Sequence, residues 1–196
     1  MAKHIIASWF NILPAYLLAR SINLIITTYM KYLGYKYTIC DNGLRIWHSK
    51  YDPNYGTPLV FFHASVGGLG IQILTLSHFY KNYNIVIPEI PGISFVESRG
   101  KPLRISSIIN SLHDFVLKWH IPDTSNPESI KLNLMGHSLG TVICSAYINQ
   151  YPSHVANFFC VEGQIFFHRS TRITRDLNSK LNEIPAWDLI TVPLFN

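Results

Sequence analysis

The residues with the most chemical potential are Gly136-His137-Ser138-Leu139-Gly140, which close an apolar run opening at Ile130. Gly-x-Ser-x-Gly between a predicted strand and a predicted helix lifts its serine onto a sharp turn, clear of its neighbours. Gly136 and Gly140 leave room for the backbone to cross itself there. The helix expected from Thr141 to about Tyr151 aims its first N–H groups at any negative charge that develops near Ser138. Such a serine is suited to nucleophilic attack in acyl transfer, and the alternative is a chance match in an ordinary turn. An activated serine also needs a base to take its proton and an acid to orient that base. Downstream of the turn the histidines are His154 and His168. His168 lies just past the strand expected to end near Val161, on the side where catalytic loops collect, and is the candidate base, with a surface histidine as the alternative. His154 follows the helix and is expected at the opposite end of the sheet. His137 is expected to pack beside the turn, and His63 to support a loop.

The elements that must hold this turn are readable along the chain. Tyr35–Ile39 and Leu44–His48 alternate with period two around Asp41-Asn42-Gly43, a hairpin signal. Pro58–His63 is a continuous apolar strand of the kind buried on both faces. The small-residue loop Ala64-Ser-Val-Gly-Gly-Leu-Gly70 follows, then a helical pattern over Ile71–Tyr80 and a second buried strand at Asn84–Pro88. Ile105, Ile108, Ile109, Leu112, Phe115, Val116 and Trp119 recur at helical spacing. Ile130–Met135 and Ala156–Val161 complete the strands. Strands alternating with helices of this length predict an α/β fold, a mostly parallel sheet with helices on both faces.

From about residue 35 to 168 the chain resembles the front two-thirds of an α/β-hydrolase. Three motifs in order carry the resemblance: Phe61-Phe62-His63 with its small-residue loop, Ile87-Pro-Glu-Ile-Pro-Gly92, and Gly136-His-Ser-Leu-Gly140. It implies a serine hydrolase of esterase or lipase type, acting on a carboxylic ester without metal or cofactor. It also implies an oxyanion hole made by the N–H of Leu139 and an N–H of Ala64 or Ser65, although many members carry His-Gly where this chain has His63-Ala64. The family order is serine, acid, histidine. Glu162 is then the candidate acid, with a turn residue before Gly163 as the alternative, and Asp176 and Asp188 follow in the tail. The segment from 169 to 196 resembles the start of a lid, and no sequence remains for two further strands and a final helix. The expectation is therefore either a C-terminally truncated copy of a longer protein or a hydrolase-like interaction protein that lacks its catalytic histidine. Acyl transfer to an acceptor other than water is a third possibility.

Composition adds a membrane theme. Charged residues make up 14% of the chain, against about 25% in an ordinary soluble domain. The first 40 residues hold no Asp or Glu, and Ile5–Ala19 and Ile22–Met30 are apolar runs separated by Arg20. On a helical wheel Ile5, Ile6, Trp9, Phe10, Leu13, Tyr16 and Leu17 share one side. This predicts an apolar membrane-associated helix over 1–33 that spans the bilayer or lies in its interface, with packing on the protein itself as the alternative. The hydrolase-like core takes 34–168. A net charge of +5 suits an anionic lipid surface. The basic residues are too dispersed for nucleic-acid recognition, and Arg169, Arg172 and Arg175 offer one basic face in the tail. The scattered Cys40, Cys144 and Cys160 have no metal-type spacing and favour a reducing, intracellular compartment. The expected partner is an ester or lipid-like small molecule.

Overall fold

The computed structural model describes residues 2–64, 69, 70, 72, 77, 79, 82–91, 94, 103–120 and 130–161. In chain order the main elements are helix α1 (Ala2–Tyr32), strands β1 (Lys36–Ile39), β2 (Arg45–His48), β3 (Leu59–Phe62) and β4 (Ile85–Glu89), helix α2 (Ile105–His120), strand β5 (Leu132–His137), helix α3 (Leu139–Gln150) and strand β6 (Val155–Val161). The expected helix at 71–80 falls almost wholly outside the described residues, with Ser77 and Phe79 helical within it.

The strands form one sheet in the order β1-β2-β4-β3-β5-β6. β1 and β2 are antiparallel, as are β2 and β4, and the remaining pairs are parallel. The β1–β2 hairpin closes where expected. Gly43 adopts φ 84°, its N–H donates to the Cys40 carbonyl at 2.8 Å, and the Asn42 side chain accepts from the Leu44 N–H at 3.1 Å. Because the chain leaves β3 for β4 on one side and returns to β5 on the other, the order reverses between β3 and β5. In open α/β sheets the carboxyl ends at such a reversal are where ligands bind.

Alternation along the strands builds two cores. Val60, Phe62, Val86, Ile46, Leu132 and Leu134 face α2 and α3, where they meet Ile105, Ile108, Ile109, Leu112, Val116, Leu139 and Ile143. Leu59, Phe61, Ile85, Ile87 and Trp47 face the other way and meet Ile26 and Met30 of α1. Helices thus cover both faces, and β3 and β4 are buried on both, as their unbroken apolar runs require. β4 runs one residue further than expected, to Glu89. It tolerates Pro88 because β3 pairs only with Ile85 and Val86, so no ladder bond is asked of the missing N–H on that side.

No helix among the described residues is long and apolar enough to cross a membrane, and the spanning form of the expectation for 1–33 finds no support there. Arg20, Ser21, Asn23, Thr27 and Thr28 interrupt the apolar run, and Ile22, Ile26 and Met30, spaced four apart, are spent on the sheet. The side chains of the predicted Ile5-to-Leu13 stripe lie outside the described residues. In addition, α3 begins at Leu139, two residues before the expected start, because the turn at Ser138 feeds directly into the helix.

Candidate active site

Ser138 sits between β5 and α3 with φ 53° and ψ −117°. It is the sole non-glycine residue with positive φ among the described residues. Holding such a residue there costs on the order of 1–3 kcal/mol, and such strain gathers at functional positions. Its surroundings impose it. The Ser138 N–H donates to the Val161 carbonyl at 3.1 Å, extending the β5–β6 ladder. The Ser138 carbonyl accepts both from the Thr141 N–H at 3.0 Å and from the Thr141 hydroxyl at 2.6 Å. Thr141 is fully buried.

The two glycines are steric necessities. A Cβ on Gly136 would meet the Gly140 carbonyl carbon and oxygen at 2.7 Å, and a Cβ on Gly140 would meet the Phe62 carbonyl oxygen at 2.2 Å. α3 therefore starts pressed against β3 as well as β5. As the first residue of α3, Leu139 has an N–H with no intrahelical acceptor, and the helix dipole adds positive potential at the same place.

β3 and β5 bring the second half of the expected oxyanion hole to the same edge. Phe62 pairs with Gly136, so His63 and Ala64 leave β3 beside His137 and Ser138, one strand spacing of about 4.8 Å away. Ala64 is buried and Ser65 lies outside the described residues. His63 fixes this corner. Its Nδ1–H donates to the Ala64 carbonyl at 2.7 Å, while Nε2 accepts from the Ser94 hydroxyl at 3.1 Å and the Ile90 N–H at 3.4 Å. Burial pushes its pKa down, against the raising effects of the Ala64 bond and of the Glu89 charge. It is a neutral imidazole tying the end of β3 to the turn after β4, in line with the supporting role expected of it.

The other candidates divide cleanly. The His137 ring, next to Ser138 in sequence, accepts a hydrogen bond at Nδ1 from the buried Gln72 amide. His154 precedes Val155, which pairs with Leu132 at the far end of β5, so it lies at the opposite end of the sheet as expected. Val161 ends β6 beside Ser138, but Glu162 and His168 lie outside the described residues, as do Asp176 and Asp188. Among the described residues no cluster of three or more His, Cys, Asp or Glu side chains is arranged to hold a metal.

Sequence reasoning missed a buried ion pair at the same edge. The Arg45 Nε donates to Glu89 Oε2 at 2.6 Å, and the Trp47 indole N–H donates to the same oxygen at 2.7 Å. Arg45 pairs directly with Glu89 across β2 and β4. The signal was an arginine opening β2 and a carboxylate closing β4, legible only once their antiparallel register is known.

Residues 57–193 match the sequence model of the alpha/beta hydrolase fold. Together with the turn at Ser138, this defines the class: the chain belongs to the alpha/beta hydrolase family. The human 1-acylglycerol-3-phosphate O-acyltransferase ABHD5 is 28% identical over 148 residues, which make up 74% of this chain and 40% of that protein. The human (lyso)-N-acylphosphatidylethanolamine lipase is 25% identical over 154 residues, 78% of this chain and 42% of that protein. A solved membrane phospholipase A, described as a bacterial virulence factor, has a TM-score of 0.54 at 14% identity, covering 91% of this chain and 58% of its own. That likeness speaks for the fold. The chain spans about two-fifths of the length of the curated relatives it matches.

Proposed function

We propose that Ser138 is the nucleophile of an acyl transfer from a lipid-type carboxylic ester, carried out at a membrane surface inside the cell. The observation behind this reading is the positive φ of Ser138 at a strand-to-helix turn whose two glycines admit no side chain. In this reaction the Ser138 Oγ attacks the ester carbonyl carbon and its proton passes to the base, for which His168, oriented by Glu162, is the candidate. The carbonyl oxygen takes up negative charge opposite the N–H of Leu139 and an N–H of the Ala64–Ser65 turn. One such donor is worth about 3–4 kcal/mol of transition-state stabilisation. Collapse breaks the ester C–O bond, the base returns the proton to the departing alcohol, and water or a second hydroxyl then takes the acyl group. The names of the relatives, an acyltransferase and a lipase acting on acylated phospholipids, support a lipid-type ester and leave both acceptors open. The free state of Cys40, Cys144 and Cys160 supports a reducing compartment.

The second reading is a non-catalytic, membrane-associated interaction protein. It is favoured by the engagement of both histidines closest to Ser138 along the sheet, His63 with Ala64, Ser94 and Ile90, and His137 with Gln72.

Labelling of the full chain with a fluorophosphonate separates the two. Labelling that disappears in Ser138→Ala, and weakens strongly in His168→Gln, is the expected outcome for the enzyme. A chain with native circular dichroism that stays unlabelled would overturn it in favour of the binding role.

A further inference from the structure

Gln72 is a buried glutamine with half of its amide unused. It is 6% exposed. Its Nε2–H donates to His137 Nδ1, whereas its Oε1 is buried without a hydrogen-bond partner. Folded proteins leave few buried polar atoms in that state, because an unpaired acceptor gives up its water and gains nothing in return. A methionine has nearly the same length and shape and carries no amide oxygen to strand. Stability therefore does not account for an amide at this position, and the bond to His137 is what the amide adds.

The place of that bond gives it a role. Side chains alternate between the two faces along β5. Leu134 packs with α2 and α3, and Met135 packs on the cluster that holds Ile26 and Met30 of α1. His137 follows Met135 by two positions, so its ring lies on the α1 face, opposite α3. Gln72 meets it there from the connection between β3 and β4. That connection has two other described anchors. Ala64 is tied to His63, and Leu69 is 1% exposed within the same α1-side cluster, its carbonyl accepting from the Gln72 N–H at 3.0 Å. The turn at Ser138 is thus braced by α3 from one face and by Gln72 from the other. The bond also joins the two segments that carry the proposed oxyanion donors. Leu139 follows His137 by two positions, and Ala64–Ser65 open the connection that carries Gln72.

We infer that Gln72 is a positioning residue for acyl transfer, and that its bond to His137 sets the spacing between the two oxyanion donors. It acts through His137 rather than on the ester itself. The inference rests on the nucleophile reading of Ser138 given above. Donors aimed at a developing oxyanion stabilise the transition state more than the bound ester. Loosening them therefore slows the bond-making step and leaves binding unchanged.

The test is the kinetics of fluorophosphonate labelling of the full chain, resolved into a maximal rate and a half-saturating probe concentration, with a urea unfolding midpoint for each variant. Gln72→Met should slow the maximal rate about tenfold. The half-saturating concentration should stay the same, and the unfolding midpoint should match or exceed that of the wild type. His137→Phe should slow labelling by a similar factor. The double variant should be no slower than the slower single one, because both remove the same bond. Wild-type labelling in Gln72→Met, or a rate that falls only together with the unfolding midpoint, overturns the positioning role while Ser138 remains the nucleophile. Single effects that multiply in the double variant overturn it as well. A folded wild-type chain that is never labelled overturns the nucleophile reading and takes this inference with it.

Discussion

β5 has two parallel neighbours that read alike in sequence and fare differently in the fold. β3 is Leu-Val-Phe-Phe and β6 contains Phe-Phe-Cys-Val, apolar on both faces in each case. Every residue of β3 is buried, whereas Phe158, Phe159 and Val161 of β6 are 40%, 47% and 41% exposed. The difference comes from what lies beyond each strand. β3 has β4 on its far side, α2 and α3 on one face and α1 on the other. Among the described residues β6 pairs with β5 alone. An apolar strand therefore states which environment it suits, and its neighbours decide whether it gets one. For Ser138 the consequence is an asymmetric site. The β3 side is sterically locked, and among the described residues the β6 side supplies a backbone bond from Val161.

The sharpest way to break this comparison is to add one methyl group on the locked side. Gly140→Ala places a Cβ 2.2 Å from the Phe62 carbonyl oxygen. That contact is with backbone, so no rotamer relieves it, and either α3 or β3 must shift. A loss of about 3 kcal/mol is expected from such overpacking, read from the urea unfolding midpoint, with loss of any fluorophosphonate labelling. A near-neutral Gly140→Ala would mean that α3 does not press on β3 as described.

These two sides also show what could be read before the fold was known. The turn at Ser138 was legible because its information is local: two glycines, a serine, a strand before and a helix after. The hairpin at Asp41-Asn42-Gly43 and the doubly buried β3 and β4 were legible for the same reason. The Arg45–Glu89–Trp47 cluster was not, because 44 positions separate its two charges and only the register of β2 on β4 joins them. The inner side of α1 was legible only as the alternative of packing on the protein itself. A helix apolar on two sides looks membrane-like along its length, and only docking reveals that Ile26 and Met30 belong to the core. The Gln72 contact of His137 and the Ser94 contact of His63 depend likewise on loops meeting across the carboxyl edge.

An effect of intermediate size tests how the locked side is held. His63 is buried and its pKa is lowered, first by loss of solvent. The folded protein thus keeps it neutral where the unfolded chain, with a pKa of about 6.5, begins to bind a proton. Stability from this group is fully present above that value and falls as pH drops from about 6.5 toward the folded pKa, because the unfolded state then binds more protons. The slope should approach about 1.4 kcal/mol per pH unit for this single site. His48 and His113, half-buried and also lowered by desolvation, act in the same direction more weakly. Urea midpoints measured between pH 5 and 7.5 should therefore rise with pH, and His63→Asn should remove most of the slope. A slope that persists unchanged in that variant would mean the ring is not held neutral between Ala64 and Ser94.

The smallest effect is expected on the open side, and its smallness is the point. Phe159 pairs with Met135 and is 47% exposed, so removing its ring leaves no cavity. Phe159→Ala should change stability by no more than about 0.5 kcal/mol, where the same truncation of a buried phenylalanine costs about 3–5 kcal/mol. The variant should also associate less at high concentration, because β6 is the outermost strand among the described residues and an exposed apolar edge strand invites pairing with another chain. Sedimentation of the wild-type and Phe159→Ala chains, with urea midpoints at two protein concentrations, reads both quantities at once. A loss of several kcal/mol that does not vary with concentration would show that β6 is covered within the single chain. It would also place a second layer of structure beside Val161, on the flank of Ser138.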